Sequence, residues 1–486
     1  MKNNSQSLAL RAAFAVLLTV GFYLLALSMV ALLLFIPYAE WTYGGRIHFK
    51  ILIFCLLGAG VIAKSIIPRP DRFTAPGPRL LPDEQPELFK VLRGVAREMG
   101  QEMPAEVYAI GEMNAWVMDR GGIMGFGGRR VMGLGLPLLQ VLNVSQARGV
   151  IAHEFGHFYG GDTKLGPWIY RTRTAVIRTL AGLAEHSSLL QKPFLWYGNT
   201  FMRITQAISR GQEFTADRLA AGIVGRQAMI DGLQVIHGSG AVFDAYWRNE
   251  YAPALGKGYR PPLAEGFAHF LGVQRIADVV AGIVSEELES GETGRYDSHP
   301  SLRDRVSALR QMAVDKEQDA GSAISLLRDL ENLEATFLTV LTDSATIGEI
   351  QPIGWDQVGG KVWIPVWQEH VDTHKELLQG IRLQALPEIL SDPDRKQQLL
   401  QGCPEFEEEG QNHFLEGLLG AAVAVILARE GWQLKATPGN DIALSRKGLD
   451  LFPFIAVRQL LKGESPAEAW GSFSVALNGD AVPGSA

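Results

Sequence analysis

The chain has 486 residues, 47% of them apolar, with a net charge of −7 and two cysteines, Cys55 and Cys403. Such a length calls for two or three units with real hydrophobic cores. The acidic balance offers nucleic acid no electrostatic hold, and two cysteines so far apart exclude a disulfide framework. From Ala12 to Pro37 no charged residue interrupts the sequence, which exceeds the roughly 20 residues that span a bilayer and the h-region of about 7–15 residues in a signal peptide. A transmembrane helix over 12–37 follows. A second apolar run, Ile51 to Ala63 continued by Ser65 to Ile67, spans as well once Lys50 and Lys64 snorkel to the headgroups. Lys2 and Arg11 precede the first run, and Lys64, Arg69, Arg72 and Arg79 end or follow the second. That distribution places both termini on the cytoplasmic side of an inner (cytoplasmic) membrane, crossed more than once, with the following domain facing the cytoplasm. Tyr38, Trp41 and Tyr43 stand where an interfacial aromatic belt belongs.

Residues 68–86 carry six prolines, so they cannot continue a helix and read as a linker. Leu88, Val91, Leu92 and Val95 then recur at helical spacing. Short strands are predicted over 105–110, 114–118 and 131–136, the last after a glycine-rich turn from Gly121 to Gly128. A helix follows from near Ser145, capped by Asn143 or Ser145. Residues 165–210 mix apolar positions with five arginines and read as a packed amphipathic helix pair or a membrane-surface patch. From about Glu331 the character changes: a turn and strand over 354–367, helices over 371–400, and a buried core helix over 418–428, too short for a span. Trp432 to Lys435 and Asp441 to Ser445 flank Pro438-Gly439-Asn440 as a hairpin.

His153-Glu154-Phe155-Gly156-His157 sets two imidazoles at i and i+4, on one helix face, where both reach a single Zn²⁺. Glu154 falls beside the metal-activated water as its general base, the arrangement of metal-assisted peptide hydrolysis. A catalytic zinc needs a third protein ligand. Glu213-Phe214-Thr215-Ala216-Asp217 offers it, with Glu213 as ligand and Asp217, one turn on, accepting a hydrogen bond from a zinc-bound histidine such as His153.

The order Asn114-Ala115, His153-Glu154-Phe155-Gly156-His157, Ser209-Arg210-Gly211-Gln212-Glu213-Phe214-Thr215-Ala216-Asp217 and His299-Pro300-Ser301 with Arg305 resembles the membrane gluzincin family of the CAAX prenyl protease and the heat-shock protease HtpX, over about residues 84–310. The resemblance implies one Zn²⁺ per chain on His153, His157 and Glu213. It also implies His299 and Arg305 as catalytic partners holding the substrate backbone, with Asn114 and Ala115 on an edge strand as the substrate-binding pair. A donor aimed at a developing oxyanion is worth roughly 2.7–4 kcal/mol. The interval between the two zinc motifs carries Arg171, Arg173, Arg178, Glu185 and Lys192, so a soluble-faced domain on a short anchor is expected instead of an enclosed membrane chamber.

The fold class expected is α+β: a mainly helical zincin catalytic domain with a small β-sheet, an N-terminal transmembrane hairpin and an α+β C-terminal domain. Its parts are the anchor 1–67, the linker 68–86, the peptidase domain 87–315, a helical connector 316–345 and the C-terminal domain 346–486. The partners expected are a polypeptide substrate, membrane-associated or misfolded, and the lipid bilayer, and no nucleic acid. His370 and His374 share a helix face without a glutamate between them, and Glu405 to Glu409 reads as a solvated charged loop. The glycine-rich turn lacks a phosphate-loop lysine. A catalytically silent membrane scaffold that binds a partner through its C-terminal domain is the alternative, although a scaffold has no need of Glu154.

Overall fold

The computed structural model describes residues 2–67, 73–121, 128–158, 166–341, 350–403, 408–464 and 470–477. Residues 68–72 of the linker with Arg69 and Arg72, residues 122–127 of the glycine-rich turn and residues 404–407 of the acidic segment lie outside these. Two compact units emerge, one of Met1–Gly240 with Ala281–Leu341 and one of Ala241–Val280 with Thr342–Ala486.

In the first unit the elements run α1 (Lys2–Gly44), α2 (Phe49–Ile66), β1 (Arg79–Leu80), α3 (Pro86–Met99), β2 (Glu106–Ile110), β3 (Ala115–Arg120), β4 (Arg129–Gly135), α4 (Leu136–Val141), α5 (Val144–Gly156), α6 (Gly166–Ala184), α7 (Ser188–Val224) and α8 (Arg226–Tyr246) as far as Gly240, its last turns belonging to the second unit. Both α1 and α2 are long and apolar enough to cross a membrane. Leu24, Leu27, Phe35, Ile53 and Leu57 stand exposed along them, as on a helix whose outer face meets lipid. The chain is a membrane protein of mainly helical α+β fold.

Phe22, Ala26 and Leu33 of α1 and Cys55, Ala59 and Ile62 of α2 share one apolar cluster with Ala175, Val176 and Leu183 of α6 and Leu190 and Phe194 of α7. Helices α6 and α7 thus pack on the anchor helices themselves, unlike a domain on a short separate stalk. In α1, α2 and α7 the residues that turn into this cluster stand 3, 4 or 7 apart, on one helix face. Arg173 turns to its own hairpin partner, donating from Nη2 to Gln206 Oε1 at 3.2 Å.

The sheet has the order β1-β2-β4-β3, with β2 and β4 parallel and the outer pairs antiparallel. Its β2 and β4 carry Val107, Ala109, Met132 and Leu134 into a core shared with Leu88, Leu92 and Val95 of α3 and Ile151, Ala152 and Phe155 of α5. β3 forms the open edge. Gly135 N–H donates to Asn114 O at 2.9 Å, which makes that pair hydrogen-bonded and, by the alternation of an antiparallel ladder, turns the N–H and C=O of Ala115, Val117 and Asp119 away from β4.

α5 opens on a capping box: Asn143 Oδ1 accepts from Gln146 N–H at 2.8 Å and Gln146 Oε1 from Asn143 N–H at 2.9 Å. It lies against α7 so closely that a Cβ on Gly156 would stand 2.9 Å from Ala216 Cα and 3.1 Å from its Cβ. A glycine there is what lets the two helices approach.

In the second unit a cluster of Phe243, Tyr246, Tyr251, Phe267 and Trp355 is tied by Tyr246 Oη to Leu263 O (2.8 Å) and Trp355 Nε1 to Pro262 O (2.9 Å). A second core surrounds the helix Glu408–Arg429, whose Leu415, Leu418, Leu419 and Val423 are buried. A sheet of three antiparallel strands, Gln433–Lys435, Ala443–Arg446 and Leu449–Leu451, follows. The strand expected within 354–367 is replaced by helical turns, Trp355–Val358, Gly359–Trp363 and Ile364–Thr373. Trp355, Val358 and Val362 bury at spacings of 3 and 4, and Trp363 stacks on Trp367 with ring centroids 6.0 Å apart. Pro365 is harmless in the first turn of the last helix. His370 and His374 lie side by side, ring centroids 5.0 Å apart, both edge-on to Phe414.

Gly156→Ala places a methyl against the α7 backbone. The substitution is expected to lower unfolding free energy by about 1–3 kcal/mol, outweighing the roughly 0.5–1 kcal/mol that alanine otherwise gains over glycine in a helix. Denaturant unfolding of the detergent-solubilised chain measures this, and an unchanged or raised midpoint would refute the close crossing.

Candidate active site

Where α5 ends, His157 keeps helical backbone angles (φ −62°, ψ −20°) as the C-cap, so His153 and His157 still share a face. Their rings meet edge to face with centroids 4.8 Å apart. Because Gly156 admits Ala216, the α7 residue one turn earlier, Glu213, reaches both of them. Its Oε2 lies 3.3 Å from His153 Nε2 and its Oε1 3.5 Å from His157 Nε2. Asp217, the next turn of α7, sits behind: its Oδ1 is 2.9 Å from His153 Nδ1, although the carboxylate lies off the ring N–H axis. With Nδ1 toward Asp217, the ring turns its Nε2 to Glu213.

Arg305, from the helix Leu302–Arg310, closes the back of the cluster with a two-pronged hold on Asp217, Nε to Oδ2 at 2.8 Å and Nη2 to Oδ1 at 2.6 Å. Its guanidinium is largely buried and turned to Asp217, 3.8 Å from Glu213. His299, by contrast, is exposed at the front with Nδ1 3.1 Å from Glu213 Oε2. Asn114 is exposed just before β3 and Ala115 is buried at its first residue. Seven of the nine residues singled out in the sequence, His153, Glu154, His157, Glu213, Asp217, His299 and Arg305, form one cluster, and Asn114 and Ala115 stand at the sheet edge beside α5.

Burial pulls the His153 imidazole down, but Asp217 and Glu213 outweigh it and push its pKa up to about 9. Burial and the neighbouring His153 charge push His157 down to about 4. Glu213 stays well below the usual carboxylate range in spite of burial, because His153 and His299 both face it. Burial pushes Glu154 up to about 7, the Glu213 charge adding to the effect while the His153 charge and the Val117 backbone amide pull the other way. The raised His153 thus sets a positive charge beside the Glu213 carboxylate.

The donor set fits a metal. The ligand atoms of His153, Glu154 and His157 lie within 4.8 Å of one another, and the Glu213 oxygens lie closer still to both Nε2 atoms. A tetrahedral zinc site with bonds of about 2.0–2.1 Å has edges of about 3.3–3.4 Å, the spacing between Glu213 and the two imidazoles. Glu213 Oε2 is also a buried carboxylate oxygen that no well-aligned donor satisfies, which a cation would remedy.

Two contributors carry no signal in the sequence. The Val117 amide acts through its backbone, and Gly156 matters only because α7 lies against it.

Residues 82–313 match the Peptidase family M48. The chain is 26% identical over 243 residues to a Protease HtpX homolog of Ralstonia pickettii, covering 47% of this chain and 74% of the relative. It is 27% identical over 264 residues to one of Thermococcus sibiricus, covering 48% and 75%. Against Protease HtpX of Idiomarina loihiensis it is 28% identical over 207 residues, covering 38% and 70%. No solved structure matches.

Removing Arg305 strands a buried carboxylate. Arg305→Met is expected to cost about 3–5 kcal/mol of unfolding free energy, and Asp217→Leu combined with Arg305→Met less than the sum of the two single changes. The Asp217 pKa is depressed, with burial opposed chiefly by Arg305. Its contribution is therefore present above the ordinary Asp value of about 3.9 and lost as pH falls through the lower folded value. Denaturant unfolding of the four proteins at pH 7 measures the coupling, and additive losses would refute the pair.

Proposed function

We propose, from the match of residues 82–313 to peptidase family M48, that this chain is a zinc-dependent endopeptidase acting on membrane-associated or misfolded polypeptides. The observation that carries the reading is the Glu213 carboxylate set between the Nε2 atoms of His153 and His157, with Glu154 beside them. His153, His157 and Glu213 would hold the ion, and Asp217, backed by Arg305, would orient His153. When bound, the metal polarises a peptide carbonyl and acidifies a water.

Glu154 accepts the proton of the attacking water and returns it to the leaving amine, the work of a carboxylate whose pKa lies near the working pH. The Val117 amide, facing Glu154, helps hold that carboxylate ionised. His299, its pKa raised by Glu213, presents its other ring nitrogen to the developing oxyanion. An extended substrate adds to the open edge at Asn114 and Ala115 by backbone pairing. α1 and α2 anchor the site at the cytoplasmic face, consistent with Lys2, Arg11, Lys64 and Arg79 on that side.

Glu154→Gln in the full chain, reconstituted with zinc, is expected to keep one zinc per chain and lose casein cleavage by roughly 10²–10⁴-fold. The wild type should gain kcat/KM as pH rises through the ionisation of Glu154, with the acid limb below about 7 because a bound cation lowers that pKa further. Undiminished cleavage by the variant would sink the mechanism. A cellular effect that survives Glu154→Gln yet disappears on truncation near residue 345 would favour the scaffold.

A further inference from the structure

We propose that Arg210 is a positioning residue for His299: it clasps the loop that delivers the imidazole to Glu213. The inference rests on the peptidase reading above. His299 ends a segment, 292–299, that is mostly exposed and reaches buried ground only at Pro300. No apolar packing fixes such a stretch, so hydrogen bonds must.

Two sets of them do. At the ends of the loop, Thr293 Oγ1 donates to Asp304 Oδ2 at 2.6 Å and accepts from Ser301 N–H at 2.9 Å, which fastens it to the helix Leu302–Arg310. In its middle, Arg210 Nη1 donates to Asp297 O at 2.8 Å and to Arg295 O at 3.4 Å. Asp297 in turn closes a tight turn, its Oδ2 accepting from Gly294 N–H at 2.7 Å. The two carbonyls gripped by Arg210 lie two and four residues before His299, and Pro300 restricts the backbone of His299 to extended angles.

The position of Arg210 gives the clasp its meaning. It stands three residues before Glu213 on α7, one turn along the same helix face, so a single rigid element carries both the carboxylate and the grip on the loop. The 3.1 Å approach of His299 to Glu213 is therefore referenced to α7 twice, once at each end of the contact. Arginine suits the task because its Nη1 carries two N–H donors fixed in the guanidinium plane, one for each carbonyl, whereas a lysine ammonium swivels freely. Arg210 meets the loop through its backbone carbonyls, so the grip does not depend on the side chains of the loop.

The test uses the full zinc-loaded chain in detergent, as wild type, Arg210→Ala, Arg210→Lys, His299→Ala and the Arg210→Ala/His299→Ala double variant. Casein cleavage, zinc content and amide hydrogen exchange over 291–301 are measured on each. Arg210→Ala should lower kcat about 10- to 100-fold, the scale of a misplaced catalytic group, with KM and zinc content nearly unchanged and exchange over 294–299 accelerated. Arg210→Lys should recover part of the loss, and the double variant should be no slower than His299→Ala, because both changes remove the same contribution. Multiplying losses in the double variant, lost zinc, or unaltered exchange in Arg210→Ala would each overturn the clasp. Should the wild type cleave no casein, or Glu154→Gln cleave it equally well, the peptidase reading fails by itself. The exchange data then still decide the clasp: acceleration confined to the loop supports it, and no acceleration refutes it.

Discussion

A carboxylate with little access to water, Glu213, facing two imidazoles from another helix, is the interaction on which this structure turns. Burying an ionised group costs several kcal/mol unless partners replace its hydration. The partners here form a chain of alternating sign: Arg305, Asp217, His153, Glu213 and His299. Its middle is buried, with the side chains of Asp217, His153 and Glu213 only 2%, 9% and 5% exposed, whereas His299 at the front end is 65% exposed. Each member stabilises the charge of the next, which is why Glu213 stays ionised and His153 retains its proton. The same charge pattern suits a divalent cation, which would take the place of that proton.

The chain of charges holds only if α5 and α7 keep their distance, and α7 is also a structural element of the anchor. Over 37 residues it runs from Leu190 and Phe194, packed with the apolar helices α1 and α2, to Glu213 and Asp217. At 1.5 Å per residue the step from Phe194 to Glu213 is about 28 Å. Anchor and site thus share one helix. The core around α3, α5 and the sheet then supports the opposite side of the cleft, setting β3 with its outward-turned backbone groups beside Glu154.

The second unit follows a different logic. Its helix over 408–429 is apolar enough to cross a membrane by composition, yet two thirds of that window is buried among its own neighbours. Composition alone does not separate a span from a core helix, because both are hydrophobic all round; surrounding elements decide. The segment 354–367 makes the same point. Its tryptophans, valines and proline favour a strand by type, whereas its burial at spacings of 3 and 4 is helical, and packing overrides the local preference.

What the sequence by itself determined were relations inside a single element. Two histidines four apart must share a helix face, as must Glu213 and Asp217, because the helical repeat settles both. A charge-free run of 26 residues from Ala12 to Pro37 must be a membrane-length helix. The tertiary structure alone decided relations between elements 37 to 88 residues apart in sequence: that Val117 turns its amide to Glu154, that Gly156 admits α7, that Arg210 holds the loop of His299, and that Arg305 grips Asp217. No local rule reaches them, since each depends on the angle and distance at which two independently formed segments pack. The residue types of the candidate site could therefore be read from the sequence, while the contacts that aim them could be read only from the fold.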